Sequence, residues 1–140
     1  MIKEYKLGLS IVATGLNEDE AYDCGYIAFT RFRIDLAKAY NEEMGKIYER
    51  AVMPFSKPID GDEKRYKELC NKDLDAFLWH SDCDGSLTYK ECRKIYNVIK
   101  ELKMSMHGSN YGNERQYNTL ERWKDMFLHC AKHRVNMYFR

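Results

Sequence analysis

Between Lys6 and Thr14 apolar and polar positions alternate, with Leu7, Leu9, Ile11 and Ala13 on one side of an extended chain, and this predicts a short strand. Asn17-Glu18-Asp19-Glu20 breaks the alternation, and from about Gly25 the period lengthens. Phe29, Phe32, Leu36, Tyr40, Met44, Ile47 and Ala51 then fall at three- and four-residue steps, with Arg33, Lys38, Glu42 and Glu49 elsewhere on the wheel. The spacing predicts one long amphipathic helix ending before Pro54, since Pro54-Phe55-Ser56-Lys57-Pro58 cannot continue it. A third element starts near Asp60 or Asp62, either of which suits a helix cap, and carries Tyr66, Leu69, Cys70, Leu74, Phe77 and Leu78.

An Asp-rich loop follows. Thr88 then opens a strongly periodic helix with Cys92, Ile95, Tyr96, Ile99, Leu102 and Met106 on one face. His107 to Asn113, with two glycines and two asparagines, reads as a loop. The last helix is expected from about Glu114 to Met137, burying Leu120, Trp123, Phe127, Cys130 and Tyr138. The expected fold is mainly α, about four helices in a single domain spanning residues 1–140, with a short N-terminal strand or hairpin. A lone strand needs a partner, and Leu87 with its neighbours or the segment after Ala21 are the candidates.

The richest chemistry lies in His80-Ser81-Asp82-Cys83-Asp84-Gly85-Ser86-Leu87-Thr88-Tyr89-Lys90-Glu91. A tight loop that turns every second side chain inward surrounds a hard cation with oxygen. With Gly85 at position 6, the ligand positions fall on His80, Asp82, Asp84, the Ser86 carbonyl, Thr88 and Glu91, and Leu87 takes the apolar position 8. Over roughly twenty residues this resembles the EF-hand family. It departs at position 1, where His80 replaces aspartate, and there is no second loop of the kind. The expected metal ligands are His80, Asp82, Asp84, Ser86 and Glu91, with calcium as the cation or, given the imidazole, a softer metal such as zinc or manganese. The same letters have a reading without metal, because Thr88 and Glu91 are spaced as a capping box and Gly85 suits any left-handed turn.

Asp82 to Thr88 also resembles the DxDGxLT signature of haloacid-dehalogenase-type phosphatases, which implies Asp82 as nucleophile and Asp84 as acid/base with magnesium nearby. His80 and Ser81 precede Asp82 in a helix-like pattern where that family has a buried strand, and the family's later motifs do not follow. The HSDCDG run together with the later His129-Cys130 resembles uncharacterised small proteins of bacteria and their phages, a likeness that implies no activity.

Elsewhere, His129 and His133 stand four apart on one helix face, as two ligands of one metal would, with His107, Cys83 and Cys92 as further ligands from elsewhere. Cys130 beside His133 lacks a local signature for nucleophilic catalysis. Lys132 to Arg140 mixes cations with aromatics, a pattern for gripping nucleic acid or for an amphipathic helix end. The net charge of +1 disfavours nucleic acid and selects no membrane or acidic partner. Eleven tyrosines leave some at the surface, which suits a protein partner or a homo-oligomer. A hydrophobic fraction of 44% gives a packed globule. No apolar run reaches membrane-spanning length, and Met1 to Lys6 lacks the apolar core of an export signal. With five cysteines at scattered spacings, the expectation is a cytoplasmic protein with reduced thiols. The expected function is that of a small soluble protein whose acidic loop holds a structural cation; the alternatives are an interaction module using the basic, aromatic C-terminal helix and, after it, a metal-dependent phosphoryl hydrolase using Asp82 and Asp84.

Overall fold

A computed structural model describes residues 8–16, 22–104 and 111–140. Among the described residues there are six helices and a small antiparallel sheet of four strands. In chain order these are β1 (Gly8–Val12), β2 (Tyr22–Gly25), α1 (Tyr26–Tyr40), α2 (Glu42–Val52), α3 (Asp62–Leu69), α4 (Lys72–Leu78), β3 (Ser86–Leu87), α5 (Tyr89–Ile99), α6 (Tyr111–His133) and β4 (Met137–Phe139). The sheet order is β2-β1-β4-β3. The mainly helical expectation holds, with more helices than the four expected.

Two long periodic runs are each divided by an asparagine. Asn41 takes an extended backbone, φ −156°, and its side chain accepts from the Met44 amide, starting α2 afresh with Glu42 and Glu43 in its first turn. Asn71 does the same for α4 by accepting from Leu74 N at 3.0 Å. The breaks let α2 fold back on α1, and a Cβ at Gly45 would overlap the backbone of Lys38. Gly61, in the left-handed region at φ 89°, is the residue before α3; neither Asp60 nor Asp62 caps it. Asp62 instead stands in the first turn and binds the Arg50 guanidinium with both oxygens.

The N-terminal strand finds its partner after Ala21, with Leu9 opposite Cys24 and Ile11 opposite Tyr22. Its other edge pairs with β4, Ile11 opposite Phe139. β4 corrects the expected final helix, which ends at His133 rather than Met137. Arg134 turns left-handed at φ 55°, Val135 N bonds back to Cys130 O, and the chain continues extended. Strand alternation then buries Met137 and Phe139 and leaves Tyr138 42% exposed, contrary to its expected burial. α6 begins at Tyr111, earlier than Glu114, so Tyr111 to Asn113 are helical and not loop. α5 ends at Ile99, which leaves Leu102 beyond it, half-buried against the core. Met1 to Leu7, Asn17 to Ala21, Met106 and His107 to Asn110, all read in the sequence, lie outside the described residues.

The core centres on Trp123 of α6, with ring centroids of Phe77, Phe127, Phe29 and Phe32 at 4.8, 5.5, 5.7 and 6.3 Å. A fully buried indole of this kind contributes about 4–6 kcal/mol at ~25 cal/mol per Å² of apolar surface. Arg33, expected on the polar face of its helix, is buried as well, its guanidinium 4.2 Å over the Phe29 ring.

Candidate functional site

The acidic loop is held from three sides. α4 ends at Leu78, and Arg33 Nη1 donates to the carbonyls of Phe77 at 3.2 Å and His80 at 2.7 Å, taking up acceptors that a helix end leaves open. Gly85 turns at φ 84°, its carbonyl accepts from Phe139 N, and Ser86 and Leu87 pair with Tyr138 and Met137 of β4. On the exit side, Thr88 and Glu91 form the capping box: Thr88 Oγ1 accepts from Glu91 N at 3.2 Å and Glu91 Oε1 from Thr88 N at 3.0 Å.

Hydrogen bonds engage Glu91, Asp84, Ser86 and His80 among the groups expected to face a cation. Glu91 is turned back to the start of its own helix. Asp84 Oδ1 accepts from Gly85 N at 2.7 Å. The Ser86 carbonyl faces His80 Nε2 at 3.1 Å, while His80 Nδ1 faces the Ser81 carbonyl at 2.8 Å. Both imidazole nitrogens therefore face backbone carbonyl oxygens of the loop. The ring itself packs on Phe139, centroids 4.0 Å apart. Asp82 lies in the field of a built-in cation: burial pushes the Arg33 pKa down, and Tyr48 and Asp82 oppose that shift. No group of three or more His, Cys, Asp or Glu is gathered as a metal site among the described residues. For the phosphatase-like reading, Asp82 and Asp84 follow a helix rather than a buried strand.

Of the two-histidine constellation, His129 and His133 do meet, with centroids 4.6 Å apart. His129 Nε2 faces the Thr14 carbonyl at 2.9 Å, and Cys83 and Cys92 sit apart in the acidic loop and the core. The Cys92 and Cys130 thiols are both buried, and their mutual hydrogen bond, with burial, pushes Cys92 up. At the C-terminal segment, Lys132, His133, Arg134 and Arg140 are exposed, but Tyr138 is the sole exposed aromatic of the strand that follows.

A pocket that the sequence did not announce opens between α2 and α3. It encloses about 310 Å³ and is walled mainly by apolar atoms of Ile47, Tyr48, Pro58, Tyr66 and Trp79. Trp79 stands edge-to-face with Tyr48 at 4.9 Å and with Tyr66 at 5.9 Å. A chain of hydrogen bonds fixes these rings: Trp79 Nε1 donates to Tyr66 Oη at 2.9 Å, Tyr66 Oη donates to Asp75 Oδ1 at 2.6 Å, and Tyr48 Oη donates to Leu78 O at 2.7 Å. Burial and the Asp75 bond hold the Tyr66 phenol well above its usual pKa, and burial pushes Tyr48 up to about 12, so both remain neutral donors. At the rim, Asp62 is paired with Arg50 and Glu63 with Lys67, which leaves little net charge facing the opening. The loop that contributes Pro58 to the wall also carries Phe55, fully exposed, and Ile59, 62% exposed. The sequence signal was an apolar Phe55 between two prolines and Ile59 just after them, followed by Tyr66 within α3 and Trp79 at the end of α4.

Comparison with protein-family models, curated proteins and solved structures finds no match. Among the described residues, no helix is long and apolar enough to cross a membrane.

Proposed function

We propose that this chain is a binding module that receives an apolar group of a partner in the pocket between α2, α3 and Trp79. The observation that carries this reading is the state of the Trp79 ring. It stands 50% exposed at the mouth of a cavity, yet its only polar atom is already hydrogen-bonded inside the protein. Such a wall is preorganised and offers a partner apolar surface alone, the property of aromatic anchors at interfaces. The acidic loop, in this reading, is the clasp that joins α4 to the sheet and to α5.

N-acetylphenylalaninamide, titrated into isotope-labelled protein, tests the pocket. Saturable shifts of the Trp79 indole N–H and of Ile47 are expected with a millimolar-range constant, given the small ligand, and the Ile47 shift should be lost in Trp79→Ala. Shifts scattered over the surface, or unchanged by Trp79→Ala, would overturn the reading. The cation expectation for His80, Asp82, Asp84, Ser86 and Glu91 has a separate test in melting curves with calcium, magnesium, manganese or zinc. A ligand specific to the folded state raises the midpoint by mass action, and Asp84→Asn abolishes the rise if the loop is its source.

A further inference from the structure

The pocket and a knob of fitting chemistry occur on the same chain. Phe55 occupies the third position of a turn closed by Ser56 N donating to Met53 O at 3.2 Å, and Pro54 restricts the position before it. The phenyl ring is thereby presented at 100% exposure immediately beyond α2, the helix that forms one wall of the pocket. It does not enter its own chain's pocket, which Pro58 of the same loop borders. A fully exposed phenylalanine on a turn constrained by proline, in the loop that also borders an open aromatic cavity, is an anchor without a socket on a chain that carries a socket without an anchor.

We propose that the occupant of the pocket is Phe55 of a second copy of this chain. The inference rests on the pocket reading above and adds the identity of its ligand. Phe55 and the Pro58 that borders the pocket belong to one loop, and in a two-fold dimer the entry of one copy's Phe55 into the other's cavity is repeated in reverse, so the contact closes on itself. The paired charges at the rim (Arg50 with Asp62, Lys67 with Glu63) present no like-charge barrier to a second copy, and the whole chain carries only +1. The cavity, about 310 Å³, is of a size that admits a phenyl ring.

Sedimentation velocity across micromolar to millimolar protein should show a monomer–dimer equilibrium. Phe55→Asp, a change at a fully exposed turn position that leaves the fold intact, should raise the dimer dissociation constant by at least about 100-fold, since the symmetric variant removes two anchors. A complementation arm identifies the contact. Phe55→Asp keeps the pocket and lacks the knob, whereas Trp79→Ala keeps the knob and lacks the pocket. Isotope-labelled Phe55→Asp should show its Trp79 indole N–H shift when unlabelled Trp79→Ala is added, and no shift when unlabelled Phe55→Asp is added. A wild-type chain that stays monomeric to millimolar concentration, or a dimer unaffected by Phe55→Asp, overturns the proposal. The N-acetylphenylalaninamide titration, repeated on Phe55→Asp, then decides independently whether the pocket accepts an apolar group at all.

Discussion

Tyr66→Phe removes one oxygen and with it the joint between α3, α4 and the pocket wall. The hydroxyl donates to Asp75 Oδ1 at 2.6 Å and accepts from Trp79 Nε1 at 2.9 Å. A hydrogen bond to a charged group contributes roughly 1.5–3 kcal/mol and a neutral one about 0.5–1.5 kcal/mol. Both freed partners reach water here, since Trp79 is half-exposed and Asp75 is only partly buried, so the loss falls toward the lower limit, about 2 kcal/mol. For a chain of this length that lowers the thermal midpoint by about 6–8 °C. Urea unfolding measures the first quantity and acrylamide quenching a second. Trp123 is fully buried, so the quencher reads Trp79, and its quenching constant should rise as the indole loses its tether. Tyr66→Phe combined with Asp75→Ala should cost less than the sum of the single changes, by about 1 kcal/mol, because both remove one shared bond. Stability within about 0.5 kcal/mol of wild type and unchanged quenching would refute the claim that the hydroxyl bridge holds the pocket wall.

Thr88→Ala opens the capping box at the start of α5 and should destabilise by about 1 kcal/mol in urea; a change near zero would mean that the loop holds that helix start without it. Gly85→Ala places a Cβ in ordinary contact with His80, 3.4 Å away, so the cost comes from φ 84° and should be about 1 kcal/mol or more, read from the thermal midpoint. The Arg50 guanidinium and then the Ile59 amide hold the Asp62 carboxyl below its usual range. Its folded pKa lies under the unfolded value of about 4, so this contribution is complete above that value and is lost as pH falls through the folded one. Urea midpoints between about pH 5 and 2 should therefore fall more steeply in wild type than in Asp62→Asn, and parallel profiles would exclude the linkage.

Much of the helical content was legible because its carrier, the three- and four-residue apolar step, depends only on local geometry. The same step misled at Asn41. Tyr40 and Met44 continue the stripe across the break, although Asn41-Glu42-Glu43 is itself a cap followed by first-turn acids. Asn71 repeats the lesson. β4 was unreadable for another reason: Met137-Tyr138-Phe139 is too short to display a period, and its extended form is imposed by pairing with β1 and β3. Arg33 was misplaced because wheel position does not foresee two carbonyls arriving from the end of α4. In the acidic loop, the turn at Gly85 and the capping box at Thr88 followed from residue type and spacing. The orientation of His80 did not, since it depends on Phe139 stacking across the sheet. The pocket needed three elements in register, information that no window of sequence contains.

β4 sits between β1 and β3, and its pairing with β1 joins segments separated by nearly the whole chain. By contrast, the walls of the pocket come from within the 47–79 stretch. Closing the sheet carries the larger loop-closure entropy, so it belongs to the slow, non-local part of folding, while the α2–α4 unit assembles from near neighbours. Amide exchange should accordingly divide the molecule into two cooperative units, with fraying of the sheet leaving the aromatic socket intact.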